Sequence, residues 1–241
     1  MLAARARVFR LTMGPKRRGT RRGEGASPRA SKAPRSYAGA GPGAAPSLAV
    51  EDTSPSGRFW LVKGEYETRM EKTPTGEDYD TRFNLDDLRN EPGGTTRWDG
   101  VRNYSARNAL RSMAVGDSVL FYHSNVAKKK GSIGPHVAGI AKVVTAAFPD
   151  PLQWDSRSPY YDPKAPSQAE CADGGVEPRW WSPEIRFERA LDRGVSLDEL
   201  KEAHAGGETA LKDLLLLQSS RLSVQEVPPV AFDYIVKLSS S

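Results

Sequence analysis

Cysteine is almost absent. The 241 residues include one, Cys171. That excludes an intramolecular disulfide framework and a cysteine-based zinc site, and a reduced compartment fits such usage. Histidine is scarce too: His123, His136 and His204 lie apart in sequence, without the HExxH spacing of a metalloprotease. No run approaches 18 consecutive apolar residues, so a membrane-spanning helix is excluded. Walker and GxSxG loops are missing as well. Cys171 sits in an acidic Ala-Glu-Cys-Ala-Asp-Gly-Gly segment with no histidine nearby, a poor setting for a nucleophile. These absences lean away from an enzyme, and no cofactor or metal is expected.

Aromatic residues are missing from the front of the chain. Of 7 Phe, 5 Trp and 8 Tyr, only Phe9 and Tyr37 precede residue 58. Charge divides the opposite way. Residues 1–57 carry 11 Lys and Arg against 3 acids, a surplus of +8, whereas the remaining 24 bases and 27 acids leave −3. Residues 1–57 therefore read as a disordered basic tail, too poor in apolar surface to offset its ordering entropy. Pro15-Lys-Arg-Arg-Gly-Thr-Arg-Arg22 within it is a cluster of the nuclear-import or nucleic-acid type. The acid-free, arginine-containing start through Leu11 also resembles a mitochondrial transit peptide, and Met13 offers a second start. The nucleus is the expected location, with the mitochondrion as the alternative.

Residues 58–238 read as one domain with enough apolar residues for a sizeable core. Arg58–Val62, Ser118–His123, Val137–Thr145 and Glu184–Arg189 read as strands, the last with Ile185 and Phe187 inward. Gly139 marks a bulge or bend. Asp99–Met113 has helical spacing, and Ser196-Leu-Asp-Glu199 is a capping box opening a helix to about Ala203. Ala210–Gln218 predicts a second helix, apolar on Leu211, Leu214, Leu215 and Leu217, while Val230–Val236 fits helix or strand. Short strands interrupted by helices, without a repeated βαβ period, predict an α+β fold, a compact mixed barrel rather than a doubly wound sheet.

The densest polar-aromatic stretch is Thr96-Arg-Trp-Asp-Gly-Val-Arg-Asn-Tyr-Ser-Ala-Arg-Asn108. Aromatics stack on a base while amides and guanidinium groups read its edge, so this stretch suits base recognition. The same residues also fit a core Trp98 with asparagines capping local backbone. Phe121–Asn125 and Ser158–Pro163 form two further polar-aromatic groups.

Several motifs in order carry a resemblance. They are Trp60-Leu-Val-Lys63 with Glu65, Thr96–Asn108, Val115–Asp117, Val119–Ser124, Gly139–Ala141, Pro149-Asp-Pro151, Ser158–Lys164, Pro178–Trp180 and Ser220–Gln225. From Phe59 to about Tyr234 the chain resembles the EVE domain, the domain of the thymocyte nuclear protein family within the PUA-like superfamily. The resemblance implies a small curved mixed β-barrel with flanking helices, and a non-enzymatic reader that holds a modified base, modified cytosine in DNA rather than RNA, in an aromatic-polar pocket. A monomer is expected, and no membrane partner. By that similarity the binding residues are Lys63, Glu65, Trp98, Asn103, Arg107, Asn108, Tyr122, His123, Ser124, Asn125, Tyr160, Tyr161, Arg221, Leu222, Ser223 and Val224. The tail would add phosphate contacts. A base-processing hydrolase using His123 and a peptide-binding module are the alternatives. The chain departs from the family where Lys63-Gly-Glu-Tyr66 replaces a usual Lys-Ser-Glu-Pro, in the basic loop 128–136, and at an apparent insertion over 168–176.

Overall fold

The computed structural model describes residues 57–241 apart from 128, 173 and 220. The basic cluster, the rest of the N-terminal arm before residue 57 and Ser220 of the last motif lie outside the described residues.

The elements run β1 (Phe59–Glu65), β2 (Met70–Lys72), β3 (Asp78–Asp80), α1 (Leu85–Asn90), β4 (Thr95–Arg97), α2 (Tyr104–Arg111), β5 (Ser118–Ser124) and β6 (His136–Pro149). They continue with α3 (Gln168–Ala172), β7 (Trp181–Ser196), α4 (Leu197–Ala205), α5 (Leu215–Gln218), β8 (Val224–Val227) and α6 (Pro229–Ser239). Six strands form one mixed sheet in the order β4-β7-β6-β5-β1-β8, while β2 and β3 make a separate hairpin. The β1–β5 pair is parallel and every other pair in the large sheet is antiparallel. The α+β class is as expected. The closed barrel is not: β4 and β8 remain the two edges of the ladder.

Alternation along the strands loads both faces of this sheet. Trp60, Val62, Val119 and Phe121 meet Leu85 and Leu88 of α1 and Ala106 and Leu110 of α2 in one core. Leu61, Leu120 and Tyr122 meet Leu200 of α4, Leu216 of α5 and Phe232 and Ile235 of α6 in the other. The Val115-Gly-Asp117 turn helps to join the first core, because buried Asp117 accepts the Trp60 indole N–H at 2.8 Å.

Gly139 does sit at a register shift of β6. A Cβ there would lie 2.6 Å from Leu85 Cδ2 and 2.8 Å from the Arg189 carbonyl, so only glycine lets the strand close on α1 and β7. The Ser196–Glu199 capping box forms in full and α4 follows it. Ala210–Gln218 is not one helix. Extended backbone at Leu214 separates a 3-10 turn, Thr209–Leu211, from α5, so Leu216 is buried and Leu215 is exposed. The 230–236 segment resolves as helix within α6.

Candidate nucleic-acid interface

The stretch 96–108 is not helical until Tyr104. Gly100 adopts φ +76°, and a Cβ at that position would lie 2.7 Å from the Tyr160 ring. Asn103 is the N-cap of α2, its Oδ1 accepting the Ala106 N–H at 3.0 Å. Trp98 turns inward. It is 8% exposed and meets Phe121 edge-on at 5.5 Å and Phe83 at 6.1 Å. Its indole therefore belongs to the first core.

Arg102 organises the neighbourhood. Its Nη1 donates to Asp150 Oδ2 at 2.7 Å and its Nε to the Tyr160 carbonyl at 2.6 Å. Asp150 is fully buried and also accepts the N–H groups of Gly100 and Leu152. The Arg102 guanidinium carbon lies 5.3 Å from the Trp180 ring centre and 5.7 Å from that of Tyr160. Tyr104 stacks on Trp180 with centres 5.1 Å apart and planes at 26°. Arg107 then lies 4.8 Å from the Tyr104 ring centre. Tyr160, Arg102, Trp180, Tyr104 and Arg107 thus form a column in which each ring has a cation near its face and Tyr104 stacks on Trp180, an arrangement that gains from ring quadrupoles. Tyr104, at 53% exposure, carries the column to the surface.

The column is held from below. Asp162 Oδ2 accepts the Trp180 indole N–H at 2.7 Å and pairs with Arg179 at 3.1 Å. Burial works upward on its pKa, but the hydrogen bonds from Trp180, the Lys164 backbone and Arg179 outweigh it and hold the carboxyl below its usual range. At the outer end Arg107 has no carboxylate partner among the described residues. It donates to Asn108 Oδ1 at 3.1 and 2.8 Å and to the Arg179 carbonyl at 3.1 Å. Arg111, one turn on, lies over Trp181 and is neutralised by Glu177. The surface therefore offers a half-exposed ring capped by a guanidinium that no carboxylate among the described residues neutralises, with the Asn108 amide bonded to that guanidinium.

The remaining expected site residues do not join this cluster. Lys63 and Tyr122 lie on the face of the second core, with Lys63 Nζ 5.7 Å from the Tyr122 ring centre. Burial lowers Lys63 to about 8, and burial followed by the charge of Asp198 raises Tyr122 to about 12. Glu65 pairs with Arg69 at 3.0 Å, and Ser124 Oγ donates to the Gly64 carbonyl. Asn125 takes φ +51° after the strand ends. The Tyr161 N–H donates to the Ser158 carbonyl. Arg221 is exposed, Leu222 and Val224 pack into the first core, and the Ser223 carbonyl accepts the Lys63 N–H.

His123 is structural in its geometry. The Leu85 N–H donates to its Nε2 at 2.9 Å, so that nitrogen carries no proton. His136 Nδ1 lies 2.7 Å from the Gly134 carbonyl and must donate to it. The remaining contact, His123 Nδ1 to His136 Nε2 at 3.2 Å, then runs from His123 as donor. Both His123 nitrogens are engaged in this neutral chain, which leaves no lone pair for proton abstraction. Burial, and then the neighbouring His136, push the His123 pKa down to about 3. Tyr66 covers the pair with its ring centre 4.8 Å from that of His123. Gly64 is also explained, since a Cβ there would lie 2.4 Å from the Phe83 carbonyl. The serine usual in the resembled family does not fit this backbone.

The pattern of the EVE domain matches residues 58–238. Human thymocyte nuclear protein 1 is 37% identical over 182 residues, covering 74% of this chain and 72% of its own. The chain belongs to the EVE domain family. Among solved structures, the human THYN1 protein in complex with 5-methylcytosine containing DNA is 36% identical, with a TM-score of 0.65 over 76% of this chain and 98% of that one. A hypothetical protein from Leishmania major is likewise 36% identical, with a TM-score of 0.57 over 76% and 94%. Within this EVE domain, sequence reasoning placed Arg107, Asn108 and Tyr160 in the cluster seen here and passed over Arg102, Tyr104 and Trp180. The first two lie in the same dense stretch. Their partners, Asp150 and Trp180, lie 48 and 76 residues away, in motifs that carried the resemblance but were assigned no binding role.

Proposed function

We propose that this EVE domain is a non-enzymatic reader of DNA that recognises a modified cytosine, and that the column from Tyr160 to Arg107 is its reading surface. The single observation that carries this is the exposed end of the column. Tyr104 is pinned by Trp180 on one face, and over its ring at 4.8 Å lies Arg107, a cation with no carboxylate partner among the described residues, which swings aside for a base to stack. A pinned ring loses little freedom on stacking with a base, and each such stack is worth on the order of 1–3 kcal/mol. The likeness to a DNA-bound human relative, whose DNA contains 5-methylcytosine, supports the choice of partner. The side-chain oxygens of Asn103 and Asn108 are taken by the Ala106 N–H and by Arg107, which leaves their NH₂ groups to donate to a base edge. The folded reader spans 58–238, the basic segment 1–57 adds phosphate affinity, and the protein acts as a monomer in the nucleus.

Fluorescence anisotropy tests the reading, with duplex and single-stranded oligonucleotides carrying cytosine or its modified forms. Tyr104→Ala should weaken binding at least about fivefold, the lower end of one lost stack, and Arg107→Gln should weaken it while flattening its salt dependence. Both side chains are at the surface, so both variants should fold. Unaltered affinity and discrimination in the two variants would remove the column from the interface.

A further inference from the structure

On the other side of the loop that carries Asp150 lies a cavity of about 370 Å³, between the end of β6, β4 and α3. Its volume is in the range of small-ligand sites. Phe148, Pro151, Trp154 and Ala172 make its walls apolar, Cys171 contributes to one wall, and Arg97 contributes the cation. The indole N–H of Trp154 is tied to the Pro166 carbonyl at 2.7 Å, which fixes the ring in place. Arg97 is poorly matched for a guanidinium. Among the described residues its side chain makes no hydrogen bond, and its one ion pair reaches Asp99 at 3.9 Å. An apolar cavity with a fixed indole in its wall and one under-used cation is complementary to a flat ring bearing an anionic group.

We propose that this cavity is a nucleotide site, with the base against Trp154 and the apolar walls and the phosphate on Arg97. Two sources share that chemistry: a free nucleoside monophosphate, and a nucleotide of a bound DNA strand. Only the second rests on the reading function proposed above. The loop makes the second source geometrically natural, because Pro149 and Pro151 border the cavity while Asp150 between them holds Arg102 of the column.

Cys171, the chain's only cysteine, is a built-in reporter because it is partly buried on the cavity wall. The test is its alkylation rate with iodoacetamide, followed by mass spectrometry on the full chain. Millimolar deoxycytidine monophosphate, or a short oligodeoxycytidine, should slow the reaction several-fold. Deoxycytidine or inorganic phosphate alone should slow it far less. In Arg97→Gln the protection by the monophosphate should vanish, and in Arg97→Lys part of it should return. An equal rate in every arm on the wild-type protein overturns the proposal. Equal protection by the nucleoside and by the monophosphate overturns it too, since Arg97 would then have no role. Protection by the monophosphate in a protein that fails to bind DNA supports the cavity and refutes the reading function. DNA binding without protection in either arm refutes the cavity alone.

Discussion

Replacing Asp150 by asparagine should be among the costliest isosteric changes in the domain. Arg102 Nη1 and the Gly100 N–H donate to its Oδ2 and the Leu152 N–H to its Oδ1, all within 3.0 Å, and the side chain is fully buried. Asparagine offers one acceptor oxygen, so its NH₂ must face one of those donors. The Arg102 side chain, 20% exposed, would also keep its charge without a counter-charge. Breaking a buried pair in this way costs roughly 3–5 kcal/mol. With a urea slope of about 2 kcal/mol per M, the unfolding midpoint should fall by about 2 M. Asp155→Asn is the matched control. Asp155 also takes two hydrogen bonds from an arginine side chain, at 3.0 and 3.1 Å, but that Arg157 side chain is 61% exposed. Solvent screening should keep the control's midpoint close to wild type. Urea titrations followed by tryptophan fluorescence measure both. If Asp150→Asn shifts the midpoint no more than Asp155→Asn does, burial is not what gives the pair its weight, and Arg102 cannot be the anchor of the column.

Asn103→Ala should lose about 1 kcal/mol through the α2 cap, and Asn103→Asp should recover it; thermal unfolding of the two variants compares them, and equal losses would mean the cap is idle. Gly64→Ser should destabilise, because its Cβ meets the Phe83 carbonyl at 2.4 Å; a variant as stable as wild type would show that the 83 backbone yields easily. His123 should stay neutral through pH 5–8. Its folded pKa of about 3 lies below the unfolded value near 6.5, so its contribution is complete above 6.5 and is lost as pH falls toward 3, at up to about 1.4 kcal/mol per unit; assigned His123 ring NMR shifts that move near pH 6.5 would contradict its burial as a neutral ring. Deleting residues 1–57 should flatten the salt dependence of DNA binding by roughly 0.7–0.9 in log-log slope for each phosphate that the arm neutralises, and an unchanged slope would leave the arm without that role.

Features with short-range causes were legible in the sequence. The Ser196–Glu199 box, the Val115–Asp117 turn and the Gly139 irregularity each rest on residues close in the chain, and β1, β5 and α2 follow from hydrophobic spacing. Features with distant causes were not. Val224–Val227 is only four residues long and is extended because β1 pairs with it. Thr95–Arg97 is a strand because β7 runs beside it. The helix expected from Asp99 begins at Tyr104 because Gly100 turns left-handed beneath Tyr160. Trp98 has the composition of a base platform and the environment of a core residue, and only Phe83 and Phe121 decide between the two. In the candidate site, Arg107, Asn108 and Tyr160 were visible as a polar-aromatic cluster. The link that joins them runs through Asp150 and Trp180, far off in the chain.

The neighbour of β1 at the sheet edge is β8, 159 residues beyond the end of β1, and α6 then closes the chain over the second core. The domain's first strand therefore waits for almost its last residues. At roughly 5–20 residues per second of synthesis, the edge of β1 and half of its apolar face stay uncovered for roughly ten to thirty seconds. An open strand edge is a template for pairing with other chains, and pairings this distant slow folding. Truncation just before β8 should prolong that state indefinitely, so a shortened chain should aggregate rather than fold to a smaller domain.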